Sequence, residues 1–350
     1  MKALLYCSTA LLLTVLPCSA KTKIACVGDS ITFGYQIPHR ETNNYPYYLQ
    51  QMLGDDFEVK NFGNSGKTAG DYPGQVGRFY GSTQEHKNAV AFAGDIYICN
   101  LGINDTGAWW NAKLFVEGYN NLIDQWRTGR NNVPVFMWTK LAPDFRGTIG
   151  EKTFPGNVFA PGYTFPQRDN GSAAKRPEAE KLLEQIASKN RAVTMDAYAP
   201  LKDHPEQMVA DGLHPNAAGA KRIAQFTCSA LYREKPWKQQ PPRIETDRKN
   251  RTVTLSNPGK QAIVLDTGML ASTSGERKVC LFRFGAGSVL APGETATVRF
   301  KADQNINDFA AEMSTRADCS GNVRYVPAPA KSAKRKAWEA EAAKWAAPRK

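Results

Sequence analysis

Four short stretches hold the residue types that acyl transfer uses. An apolar run over residues 24–27 ends in Gly28, Asp29 and Ser30 of "GDSIT"; the Gly-rich "NFGNSGKT" holds Gly66, "LGIND" holds Asn104, and "DGLHPN" holds Asp211 and His214. A serine hydroxyl is a weak nucleophile until an imidazole takes its proton, and the imidazole works best when an acidic group fixes its tautomer. Ser30 is the candidate nucleophile, His214 the base and Asp211, three residues earlier, the orienting carboxylate. Negative charge developing on a carbonyl oxygen needs donors aimed at it beforehand. The backbone N–H of Ser30, the backbone N–H of Gly66 and the side-chain amide of Asn104 are the candidates. A glycine at 66 lets the main chain approach a substrate with no Cβ in the way. Asp29, Trp109 and Trp110 are candidate substrate contacts, the indoles as surfaces on which a sugar ring stacks; packing beneath a neighbouring loop is the other reading of the two tryptophans.

Each residue also has a plainer reading. Ser30 could cap the helix after it, Asn104 could satisfy loop carbonyls, Gly66 could make a turn, and His214 could be structural at a helix start. What favours chemistry is their joint placement, each at the end of an apolar run or at the entry to the last helical segment. His39 and His86 lie in polar segments with no acid placed as Asp211 is. His204 has Asp203 beside it, but adjacent residues do not readily share a face. Four histidines without an HExxH pattern or paired cysteines give no metal-ligand spacing, and neither a metal nor a cofactor is expected.

These stretches need strands to end where they begin. Apolar runs recur at 24–27, 57–62, 96–101, 133–138 and 192–195, separated by segments of helical character at 45–53, 113–128 and 173–189, with a last one at 215–232. Five short strands alternating with helices predict a parallel five-stranded sheet covered on both faces, a three-layer α/β/α domain over residues 21–235. Ligands bind at the carboxyl ends of such strands, which is where the four stretches fall. Residues 141–172, long, irregular and aromatic (Phe145, Phe154, Phe159, Tyr163, Phe165), are expected to wall the substrate side.

Prolines 236, 241 and 242 mark a linker over 236–243. Beyond it, short β-branched runs separated by Gly and Pro predict a small all-β, sandwich-like domain over 244–327, with a spacer or targeting role. The remaining segment, 328–350, is basic and helix-prone, with Trp338, Ala342 and Trp345 on one face; a solvated tail is preferred to a contact with an anionic surface or glycan.

Residues 1–20 read as a secretory signal: Lys2, an apolar run over 3–16, then small residues at 18–20. Pro17 directly before Cys18 argues against lipid modification there. No later run is long enough to span a bilayer, so an exported protein, periplasmic or extracellular, is expected. The seven cysteines divide accordingly. Cys7 and Cys18 leave with the signal, Cys26, Cys99 and Cys228 read as buried thiols, and Cys280 and Cys319 could pair in an exported chain. The net charge of +12 favours acidic partners, but the last twenty residues carry seven Lys/Arg against two Glu, so the charge is partly that of the tail. No nucleic-acid-binding pattern is present and no such partner is expected.

The blocks "GDSIT", "NSGKT", "GIND" and "DGLHPN" resemble those of the SGNH hydrolases, the GDSL-type esterases. Ser30, Gly66, Asn104 and His214 stand at the family's four block positions. The resemblance, covering about residues 23–231, implies a flavodoxin-like fold and metal-independent ester hydrolysis through an acyl-serine. The segment around "GDSITFGYQIPHRETNNYPYYLQQMLG" is similar to exported bacterial sialate and polysaccharide O-acetylesterases, which implies an acylated carbohydrate as substrate. A lysophospholipase or thioesterase is the enzymatic alternative, and a surface-attached carbohydrate-binding protein the non-enzymatic one. The C-terminal strands weakly resemble a lamin-tail β-sandwich.

Overall fold

The computed structural model describes residues 20–130, 132–146, 148–149, 152–153, 162, 165, 173–235, 237–247, 249–274, 277–299 and 322–328. The expectations for the signal segment, for Phe154, Phe159 and Tyr163, for Cys319 and for the basic tail lie outside these residues.

Five strands form the central sheet: β1 (Thr22–Gly28), β2 (Phe57–Gly63), β3 (Ile96–Asn100), β4 (Val135–Lys140) and, after a two-residue hairpin of β5 (Thr148–Ile149) and β6 (Lys152–Thr153), β7 (Val193–Asp196). Their order is β2-β1-β3-β4-β7, with every pairing parallel. Alternation along the strands divides the core in two. Ile24, Cys26, Ile96, Ile98, Phe136 and Trp138 face one layer, and Ala25, Val27, Tyr97, Cys99, Val135 and Met137 the other.

The first layer is closed by α1 (Ser30–Phe33), α2 (Arg40–Asn43), α3 (Tyr45–Leu53) and α7 (Ala217–Glu234), the second by α4 (Gln84–Phe92), α5 (Ala112–Trp126) and α6 (Arg176–Lys189). In α3 the apolar stripe Tyr45, Leu49, Met52 and Leu53 is buried; in α5 it is Phe115, Tyr119, Leu122, Ile123 and Trp126. Asn44 and Asn111 cap these helices by accepting from Tyr47 and Leu114 N–H. Each fully buried Leu, Ile or Phe contributes about 1.5–3 kcal/mol, so these stripes fix which face of each helix meets the sheet.

The C-terminal strands are β8 (Arg243–Asp247), β9 (Thr252–Ser256), β10 (Ile263–Val264), β11 (Gly268–Ser274), β12 (Arg277–Arg283), β13 (Val289–Leu290), β14 (Thr295–Arg299) and β15 (Asn322–Pro327). They form antiparallel sheets ordered β14-β9-β8, β12-β11-β15 and β10-β13, which share a core of Val253, Leu255, Ile263, Leu265, Leu270 and Leu290. This unit is bolted to the α/β body. Ala262 and Val264, beside or within β10, and Val289 of β13 belong to the same buried cluster as Phe57 and Tyr232. Ala262 N–H donates to the Met52 carbonyl (2.6 Å), Gln261 Nε2 to Asp56 (2.8 Å) and Lys221 Nζ to Glu294 (2.6 Å), while Ser229 and Asp266 are hydrogen-bonded. A spacer would need none of these contacts.

Cys26, Cys99 and Cys228 are buried free thiols. Burial pushes the Cys26 thiol up to about 12, which keeps it protonated and inert.

Candidate active site

Strand β1 ends in Gly28, and the chain turns at once into α1. Glycine is required at 28: a Cβ there would lie 2.3 Å from Thr32 Oγ1 and 2.5 Å from the Asn100 carbonyl oxygen, so α1 could not sit so close over β1 and β3. The cap of α1 is Asp29, whose Oδ1 accepts the Ile31 N–H at 3.0 Å. Ser30 is therefore the first helical residue and not the cap. Its N–H is one of the amides that have no carbonyl a turn earlier to bond.

The other end of the constellation is the turn before α7. Val209 N–H donates to the His214 carbonyl, Gly212 N–H to the Val209 carbonyl, and Asn216 caps α7 by accepting from Ala218 and Gly219. Asp211 Oδ1 accepts the backbone N–H groups of Leu213 (2.9 Å) and His214 (3.0 Å), and Oδ2 lies 2.6 Å from His214 Nδ1. His214 Nε2 lies 2.8 Å from Ser30 Oγ, across 184 residues of sequence. Burial raises the Asp211 pKa, but hydrogen bonds from the His214 ring, the His214 and Leu213 amides and the nearby imidazole outweigh it and hold the carboxyl below its usual range. An ionised Asp211 requires the proton on Nδ1, which leaves Nε2 to accept from the Ser30 hydroxyl. Such a chain can take a proton from Ser30.

Two residues that sequence reasoning did not single out complete this arrangement. The Tyr35 ring packs 4.8 Å from the His214 ring while 41% exposed. Gln36, with φ 61°, sends Nε2 to Asp211 Oδ2 at 3.3 Å. Their only sequence signal was proximity to the serine.

The loop after β2 is tied to the end of β1 by Asn64 N–H donating to the Gly28 carbonyl (2.9 Å). Gly66 follows with φ +76°, and an added Cβ would meet no protein atom within 4 Å. The backbone conformation, not crowding by the protein, is what calls for glycine there. Asn104 Nδ2 donates one hydrogen to the Lys67 carbonyl at 3.0 Å, which holds the amide beside this loop. Asp105, the next residue and fully buried, is the organiser that the sequence did not reveal. It accepts Ala69 N–H (3.0 Å), Gly70 N–H (2.9 Å) and the Tyr72 hydroxyl (2.9 Å). Burial lifts its carboxyl to about 6 in spite of those donors.

The structure separates the three candidate substrate contacts. Asp29 is fully buried, with Oδ1 spent on the cap and Oδ2 without a partner; burial raises its carboxyl to about 7. It faces the interior beneath Ser30, where no substrate reaches it without rearrangement. Trp110 donates its Nε1 hydrogen to Glu178 (3.0 Å) and packs on Phe115, ring centroids 5.0 Å apart, so it pins the loop to α6 and α5. Trp109 is half-buried with the Arg78 guanidinium 4.4 Å over its ring. Of the aromatic segment, Phe145 and Phe165 are buried: Phe145 N–H donates to the Gly212 carbonyl, and a Cβ on Gly212 would meet Phe165 at 2.6 Å. Both lie against the Asp211–His214 turn at Gly212, and most of the rest of the segment lies outside the described residues.

Among the described residues no group of three or more His, Cys, Asp or Glu is placed to hold a metal ion, and no helix is long and apolar enough to cross a membrane.

The chain belongs to the GDSL-like lipase/acylhydrolase family, whose model matches residues 26–222. An acetylxylan esterase of Xylanibacter ruminicola is 29% identical over 217 residues, covering 60% of this chain and 43% of that protein. A multidomain esterase of Ruminococcus flavefaciens is 24% identical over 233 residues, covering 58% of this chain and 28% of that protein. The matches thus span less than half the length of either curated relative. Among solved structures, a carbohydrate acetylesterase from Sinorhizobium meliloti is 19% identical with a TM-score of 0.45, covering 60% of this chain and 98% of that one.

Proposed function

We propose that this protein hydrolyses carboxylic esters through an acyl-serine, with O-acetyl groups on carbohydrate as its substrate class. The observation that carries the reading is the unbroken chain Ser30 Oγ–His214 Nε2 (2.8 Å) and His214 Nδ1–Asp211 Oδ2 (2.6 Å). His214 takes the Ser30 proton as Oγ attacks the acyl carbon. The oxyanion that forms is received by the N–H groups of Ser30 and Gly66 and the Asn104 amide. Collapse breaks the bond to the sugar oxygen, which leaves with the proton from His214. A water then gives its proton to His214 and attacks the acyl-serine, releasing the acid and restoring Ser30. No step requires a metal.

The relative named as an acetylxylan esterase supports a carbohydrate ester over a lipid one. Export, through residues 1–20, suits a polymeric substrate met outside the cell. Acetate release from acetylated xylan and acetylated pectin, with p-nitrophenyl esters of graded length alongside, tests the reading. It predicts Ser30-dependent acetate release from a glycan, with rates falling as the acyl chain lengthens; a long-chain preference with no glycan turnover contradicts it.

A further inference from the structure

Three cationic side chains converge on the loops that carry Gly66 and Asn104. Lys67 follows Gly66 directly, and its Nζ donates to the Gly77 carbonyl at 2.8 Å. Arg78, the next residue after Gly77, stacks on Trp109 at 4.4 Å. Lys175 reaches across from the start of α6, its Nζ donating to the Gly107 carbonyl at 2.7 Å. All three are half-buried. They form one connected shelf, joined to Asn104 because that amide donates to the Lys67 carbonyl.

Three acidic side chains beside the shelf are occupied elsewhere, and Asp71, exposed between Lys67 and Arg78 in the chain, forms no ion pair with either. Glu85 accepts from the Asn64 amide, Glu178 from Trp110, and Asp105 from Ala69, Gly70 and Tyr72. Among the described residues none of the three cations forms an ion pair, and the Arg78 guanidinium makes no hydrogen bond, so its planar fork of donors is unspent. Anchored cations without ion pairs on the loops that carry Gly66 and Asn104 favour an anion carried by the substrate itself.

We infer that this shelf is a subsite for a carboxylate on the sugar next to the acylated one, which makes the preferred substrate an O-acetyl ester of a uronate-bearing glycan. This rests on the Ser30-centred reading above. Arg78 receives the carboxylate by its fork, Lys67 and Lys175 add charge on either side, and Trp109 supplies the apolar floor.

The test compares initial rates on acetylated oligogalacturonides and acetylated xylo-oligosaccharides of matched length. The ratio of kcat/KM, acidic over neutral, is expected to be about tenfold at low salt, the combined size of three solvent-screened charge contacts. In the unmodified protein it shrinks as NaCl rises from about 20 to about 300 mM, as the Debye length falls. Arg78→Gln, and Lys67→Gln with Lys175→Gln, bring the ratio toward one, chiefly through KM, whereas Arg78→Lys retains part of it. A ratio near one in the unmodified protein, or one that neither salt nor these variants move, overturns the subsite. Turnover of both substrates that persists in Ser30→Ala overturns the parent reading instead; Ser30-dependent turnover without preference overturns the shelf alone.

Discussion

Asp211 holds His214 at two points, through Oδ1 to its backbone N–H (3.0 Å) and through Oδ2 to its ring Nδ1 (2.6 Å). The imidazole therefore inherits both its position and its tautomer from one carboxylate three residues away. Asp211→Asn can present an amide N–H where an acceptor is needed and so favours the wrong tautomer. We expect kcat to fall by on the order of 10³ with KM changed far less. Steady-state kinetics checks this, and near-normal kcat would contradict it.

Gln36 adds a fourth donor to the same carboxylate from the exposed side. Gln36→Ala is expected to lower kcat by less than about tenfold, since the bond is long and open to water. Gln36→Glu replaces that donor with a second negative charge beside Asp211 and is expected to lower kcat more than Gln36→Ala does. Equal kcat in the two variants would show that Gln36 does not act through Asp211.

Asp29 and Asp105 give a pH signature to stability. Burial raises both carboxyls, to about 7 and about 6, above the value of about 4 for an unfolded aspartate. Between about pH 4 and pH 7 the folded chain keeps protons that the unfolded chain has released, so the contribution of these groups to stability declines as pH rises. Asp211 has the opposite sign: depressed in the fold, it contributes above the unfolded value and that contribution is lost as pH falls. Asp29→Asn keeps an oxygen for the cap and should flatten the pH dependence across this window relative to the parent. Denaturant midpoints read it directly, and parallel curves would contradict it.

The β unit completes the core of the α/β body. Val264→Ala, at a fully buried site, is expected to cost about 2 kcal/mol. Lys221→Ala, which breaks a half-exposed ion pair with Glu294, should cost less than about 1 kcal/mol. A chain ending before residue 241 uncovers the surface of Phe57, Tyr232 and Trp237 and is expected to aggregate or melt early. Thermal denaturation of the three proteins orders them, and a truncated chain as stable as the parent would contradict the account.

Local pattern carried much of this fold. The five apolar runs became the five strands, and the helical segment at 45–53 became α3 with the same limits, because burial on both faces and an amphipathic stripe are written into neighbouring residues. Helix α4 went unread: only His86 and Ala89 of its nine residues are buried, too thin a stripe to register. Capping, the plainer reading of Ser30, falls instead to Asp29 one residue earlier, since a Ser and an Asp in sequence offer the same signal. Asp105 was invisible as an organiser because its partners lie 33 to 36 residues away. The docking of the β unit likewise depends on pairings such as Gln261 with Asp56 that no local pattern encodes.

On the proposed mechanism Ser30 carries the acyl group during turnover. Rapid acid quench of the enzyme turning over p-nitrophenyl acetate, followed by peptide mass analysis, should find one acetyl group on the peptide holding Ser30. That group should be lost in Ser30→Ala along with turnover. Full turnover by Ser30→Ala, or an acetyl group on a different residue, would contradict the account.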